Sequence, residues 1–93
     1  MTLTIAGITF EHHEYDDRGD VLYLSTAGYK GPPARADATP EGHNVEYDAT
    51  GHVVAMTLVN VRWLLERHGE LTITWPAGHV QADELAPALA SAA

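Results

Sequence analysis

No cysteine occurs among the 93 residues, so disulfides, thiolate nucleophiles, cysteine-ligated zinc and iron–sulfur clusters are excluded. Positive charge is scarce. Five Lys and Arg against 13 Asp and Glu give a formal charge of −8, which repels phosphate backbones and anionic lipid. Nucleic-acid and membrane-surface partners are therefore not expected. No apolar run approaches the ~18 residues of a membrane-spanning helix. The opening Met1-Thr2-Leu3-Thr4-Ile5 lacks the basic region and hydrophobic stretch of a signal peptide, and the expectation is a soluble cytoplasmic protein. Serine is limited to Ser25 and Ser91, neither in a GxSxG turn, and the glycines form neither a GxGxxG nor a phosphate-binding loop. No cofactor is expected.

What is present suits one small domain spanning residues 1–93, with 45% apolar residues to form its core. Most of the periodicity is that of strands. Thr2–Ile5 alternates, and Ile8–Tyr15 reads as a second extended piece with Ile8, Phe10, His12 and Glu14 on one face. The cluster Asp16-Asp17-Arg18-Gly19-Asp20 is a turn in which Gly19 is free to take positive φ. Val21–Leu24 is apolar throughout, as in a central strand. Glycines and prolines break the chain from Thr26 to Glu41, leaving a brief edge strand within Ala34–Thr39. His43–Tyr47 and His52–Val59 then form a hairpin across Asp48-Ala49-Thr50-Gly51, Gly51 supplying the left-handed position. Val45 and Tyr47 are on its core side, and the second strand has Val53, Ala55, Thr57 and Val59 on one face and Val54, Met56 and Leu58 on the other. Asn60 is placed to cap a helix over Val61–His68 ended by Gly69, with Arg62 and Glu66 paired outside. Leu71–Trp75 alternates as a strand, and Asp83 precedes a final helical stretch within Glu84–Ala92 that Pro87 interrupts. The expected fold is α+β, a small antiparallel β-sheet with one or two short helices packed on one face.

Tyr15-Asp16-Asp17-Arg18-Gly19-Asp20-Val21-Leu22-Tyr23-Leu24 resembles the opening of the bacterial family DUF2283, a Tyr-Asp, a further Asp and an apolar-Tyr-apolar strand. The stretch Glu41–Leu58, with its strand ending in Tyr47-Asp48, its turn at Gly51 and its apolar return strand, resembles that family's second half. The resemblance covers about half the chain, to roughly Val59. It implies an antiparallel sheet module and assigns no catalytic residues. The segments after Val59 depart from the family pattern.

Six histidines are the conspicuous polar feature. His12 and His13 are adjacent and face opposite sides of a strand, with Glu14 and Asp16 following. These four are the candidates for a metal site or acid/base pair, although no HxH pair or HExxH motif supports them. Asp16 and Asp48, each directly after a tyrosine, are explained by Asx turns. Trp63 and Arg67, four apart, are spaced to stack. Both faces of Val21–Leu24 and Val53–Val59 are apolar, and one short helix covers little of them. The expected role is therefore a non-catalytic, self-associating interaction or regulatory module, a homodimer. The alternatives are a small metal-dependent or acid/base enzyme using His12, His13, Glu14 and Asp16, and an antitoxin-like partner of a basic protein.

Overall fold

The structure, a computed structural model, describes residues 2–5, 7–29, 31–74, 78–81, 85 and 89, with 78–81 described by backbone alone. Nine short strands and one helix follow in the order β1 Leu3–Ile5, β2 Ile8–Phe10, β3 His12–Asp16, β4 Val21–Ser25, β5 Arg35–Ala38, β6 Asn44–Tyr47, β7 Val53–Val59, α1 Val61–His68, β8 Glu70–Ile73 and β9 Gly78–Gln81. The fold is thus mainly β, and α1 is the one helix described along its whole length. The five strands β3-β4-β7-β6-β5, all antiparallel to their neighbours, make the central sheet. The hairpins β1-β2 and β8-β9 are separate two-stranded sheets.

Period-two alternation divides the central sheet into a dry and a wet face. Tyr15, Leu22, Leu24, Val45, Met56 and Leu58 lie on the dry face and are buried. They pack in one cluster with Leu3, Ile5 and Phe10 of the first hairpin, Val61 and Leu65 of α1, Leu71 and Ile73 of β8, and Leu85. Each fully buried aliphatic or aromatic side chain contributes about 1.5–3 kcal/mol, so this cluster dominates the stability of the domain. The second layer is therefore built mostly from hairpins, and the helix supplies only part of it.

The expected extended piece Ile8–Tyr15 is broken at Glu11. Phe10 ends β2 in one sheet and His12 begins β3 in another, so the four side chains expected on one face are divided between two sheets. A register shift at Glu46/Tyr47 pairs Tyr47 with Val53 and leaves Val54 as the extra residue of a bulge. The bulge turns Val53 onto the core beside Tyr47, away from the face of Ala55 and Thr57 on which simple alternation placed it. The turn 48–51 is as expected: Gly51 has φ 88°, and Asp48 Oδ1 accepts the Thr50 and His52 amides at 2.9 and 3.0 Å. The expected edge strand is β5, and its Arg35 pairs with Asp37 at 3.1 Å and lies over the Tyr47 ring.

Helix α1 begins differently from the expectation. Asn60 is left-handed at φ 54° and makes no side-chain capping bond. Its place is taken by Asp20, from the turn before β4, whose carboxylate accepts the Arg62 and Trp63 amides at 2.8 and 3.1 Å. The Asp20 carbonyl also accepts the Val61 amide at 3.2 Å. Sheet register explains this: Val21 pairs with Val59, which brings the start of β4 beside the junction between β7 and α1. Asp20, at φ 57°, takes the left-handed position expected of Gly19, and a Cβ on Gly19 would stand 3.3 Å from Asp16 Oδ2. At the other end Gly69 caps as expected, with φ 75° and its amide on the Leu65 carbonyl. Arg62 lies over the Tyr15 ring rather than pairing with Glu66. Of the expected last helix, Leu85 and Leu89 are helical and pack on the core; Asp83, Glu84 and Pro87 lie outside the described residues.

Candidate functional site

The wet face of the central sheet is the candidate site. Strand pairing arranges it in rows. Glu14, Tyr23, Thr57, Asn44 and Ala38 form one row across the five strands, and His12, Ser25, Ala55, Glu46 and Ala36 form the next. The small residues Ser25, Ala55 and Thr57 leave a trough between larger neighbours. Tyr29, from the glycine- and proline-rich segment after β4, closes one side by donating its hydroxyl to Glu46 Oε2 at 3.0 Å. The result is an open groove of about 310 Å³.

Two features distinguish this groove. Tyr23 is 46% exposed, one of two large apolar side chains left out of the core among the described residues, the other being Trp63. The described lining residues include the carboxylates Glu14 and Glu46 and neither Lys nor Arg. Among the described residues, the Glu46 carboxylate accepts only from the Tyr29 hydroxyl, and the Glu14 carboxylate makes no hydrogen bond or ion pair. Partial withdrawal from water, together with the Glu46 bond, raises the Tyr29 hydroxyl above its ordinary pKa.

His12, Glu14 and Asp16 share the wet face, whereas His13 turns to the other side, its Nδ1 buried without a hydrogen-bond partner. Asp16 is taken by its turn, where Oδ1 accepts the Arg18 amide at 3.0 Å. No three His, Asp or Glu side chains converge to hold a metal ion among the described residues. His12 faces Ser25 across β3 and β4, and no side-chain hydrogen bond joins them among the described residues. Tyr23, Tyr29 and Glu46 were not among the residues singled out from the sequence. The alternation of Glu46 with Val45 and Tyr47 marks its outward side, whereas nothing local indicates that Tyr29 folds back over the sheet.

Toward the opposite face are two polar networks, each with one buried member, Tyr15 or His43. Tyr15 donates to Asp20 Oδ1 at 2.6 Å. Burial first, and then this bond, pushes the Tyr15 pKa up to about 12, so it stays a neutral donor. Burial tends to raise the Asp20 pKa, but the bonds from Tyr15 and the helix amides outweigh it and hold the carboxyl below its usual value. His43 is fully buried, and its Nδ1 accepts the Val59 amide at 3.1 Å. Burial lowers its pKa, opposed by the Glu41 charge and the Thr72 backbone. Glu41 in turn receives the Thr74 amide at 3.0 Å and the Thr74 hydroxyl, which hold its own pKa at about 2. These groups tie the central sheet to the second layer and are structural.

Comparison with protein-family models, with curated proteins and with solved structures gives no match. The functional reading therefore rests on the groove. On the other flank, Trp63 is 53% exposed with the Arg67 guanidinium 4.7 Å from its ring centroid, the stacking that their spacing implied. No helix among the described residues is long and apolar enough to cross a membrane.

Proposed function

We propose that this chain is a non-catalytic binding module, a DUF2283-like sheet domain that engages a protein partner through the wet face of its central sheet. The observation that carries the reading is the groove around Tyr23: an exposed aromatic ring beside a floor of small side chains, the combination that seats a partner's side chain. The Tyr-Asp…Asp motif behind the family resemblance also has a structural job, because Tyr15 and Asp20 anchor α1 to the sheet. Cytoplasmic residence belongs to the same proposal and is checked by fractionating cells that express the chain.

Self-association is the second reading, and Val21 and Val59, paired next to Tyr23 and Thr57 on this face, favour it. The strongly apolar sides of these strands, carrying Leu22, Leu24, Met56 and Leu58, are covered within one chain. A dimer would therefore use surface left open in one chain, such as the wet face, an edge strand or the flank around Trp63. Sedimentation velocity from micromolar to millimolar concentration separates the two readings. Peptides selected from a random display library test the first: binders should shift the amide resonances of β3, β4 and β7 and lose affinity in Tyr23→Ala. Binders that map elsewhere on the surface would overturn it.

A further inference from the structure

Resting on the binding-module reading, we infer that the groove takes an extended segment of a basic protein, with two Lys or Arg side chains about four residues apart. Glu14 and Glu46 stand at opposite ends of the trough, on β3 and β6, and the described lining residues, which include His12 and His13, contain neither Lys nor Arg. Three strand spacings of about 4.8 Å across the sheet, with an offset of about 6.6 Å along it because the two residues lie in neighbouring rows, set them roughly 16 Å apart. An extended chain rises about 3.3 Å per residue, so cations at i and i+4 start about 13 Å apart on one side of the chain, and their long side chains span the remaining ~3 Å.

Between the carboxylates the partner's backbone crosses Ser25, Ala55 and Thr57, whose short side chains leave room for it. The exposed ring of Tyr23 lies beside Glu14 in the same row, placed to receive the stem or face of the first cation. At the far end the Tyr29 hydroxyl already holds one Glu46 oxygen, which keeps that carboxylate turned toward the groove. A second copy of this chain fits poorly as the occupant. Each copy carries −8, and face-to-face packing would bring Glu14 and Glu46 of both copies together.

Isothermal titration with synthetic peptides tests the inference: an Arg-x-x-x-Arg peptide in an uncharged extended background, and the same composition with the arginines adjacent or eight apart. The expected result is at least tenfold tighter binding at the four-residue spacing. Glu14→Gln/Glu46→Gln should remove that preference and lower affinity tenfold or more. The charge-matched Asp17→Asn/Glu66→Gln, changed at exposed positions away from the groove, should change affinity less than threefold. Affinity of the wild-type peptide pair should also fall as salt rises. Equal affinity at all spacings, or equal loss in the two double variants, would reduce the attraction to net charge and overturn the inference. If library-selected uncharged peptides bind the groove and the arginine peptides do not, the inference fails while the binding-module reading stands. If no peptide moves the groove resonances, both fail.

Discussion

Asp20→Ala tests the least local interaction in the fold. The substitution removes the acceptor for two amides of the first turn of α1 and for the Tyr15 hydroxyl. Loss of a capping side chain costs about 0.5–2 kcal/mol. Alanine at a left-handed position adds about 1 kcal/mol, and a buried hydroxyl left without its acceptor adds about 1 kcal/mol or more. Together these give about 3 kcal/mol. At about 4–8 °C per kcal/mol for a domain of this size, the melting temperature should fall by about 12–24 °C. Asp20→Asn tolerates the same φ and keeps one acceptor oxygen, so it should lose about 1 kcal/mol. Asn60→Gly should stay within about 0.5 kcal/mol of wild type, because Asn60 makes no side-chain capping bond and glycine suits its φ. The depressed Asp20 pKa adds a pH signature: its stabilisation is complete above the unfolded value near 3.8 and is lost as pH falls through the lower folded value. Thermal unfolding followed by far-UV circular dichroism reads all three variants. If Asp20→Ala melts within 3 °C of Asp17→Ala, or if Asn60→Gly costs more than Asp20→Ala, the long-range cap is refuted.

Leu24→Asp and Leu58→Asp should abolish the cooperative melt of the isolated chain, because both side chains are buried inside one protomer; a folded monomer in either variant would place these residues in an interface instead. Gly51→Val should lower the melting temperature more than Thr50→Val, since Gly51 has φ 88° with open space around its α-carbon, which leaves backbone strain as the cost; equal effects would contradict the turn. Stability should decrease as pH falls below about 6.5, because the unfolded chain then takes up a proton that buried His43 resists. In His43→Gln the slope of unfolding free energy between pH 6.5 and 5 should flatten, and an unchanged slope would assign it to other groups.

Much of the local structure was legible along the chain. Helix α1 matches its expected bounds at both ends because i, i+3, i+4 spacing and a glycine cap are properties of neighbouring residues. The hairpin of β6 and β7 was legible for the same reason, since alternation and an Asp-x-x-Gly turn act within a dozen residues. The Asx turns at Asp16 and Asp48 are equally local. The break at Glu11 was not legible, because alternation continues through it and only the packing of two different sheets decides where the chain turns. The bulge at Val54 was hidden likewise, since register depends on the partner strand and not on the strand's own sequence.

The candidate site divides in the same way. That His12, Glu14 and Asp16 share one side of a strand, and that His13 opposes them, follows from the period of two. Tyr29 reaching Glu46 over 17 residues, and Asp20 reaching α1 over 42, do not follow from any local pattern. Sequence alone determined composition, charge and the short-range geometry of turns, strands and the helix, because those forces act between neighbours. Tertiary structure alone decided which face of the central sheet is covered and which side chains meet on the open one, because burial and long-range hydrogen bonds exist only once the layers have packed.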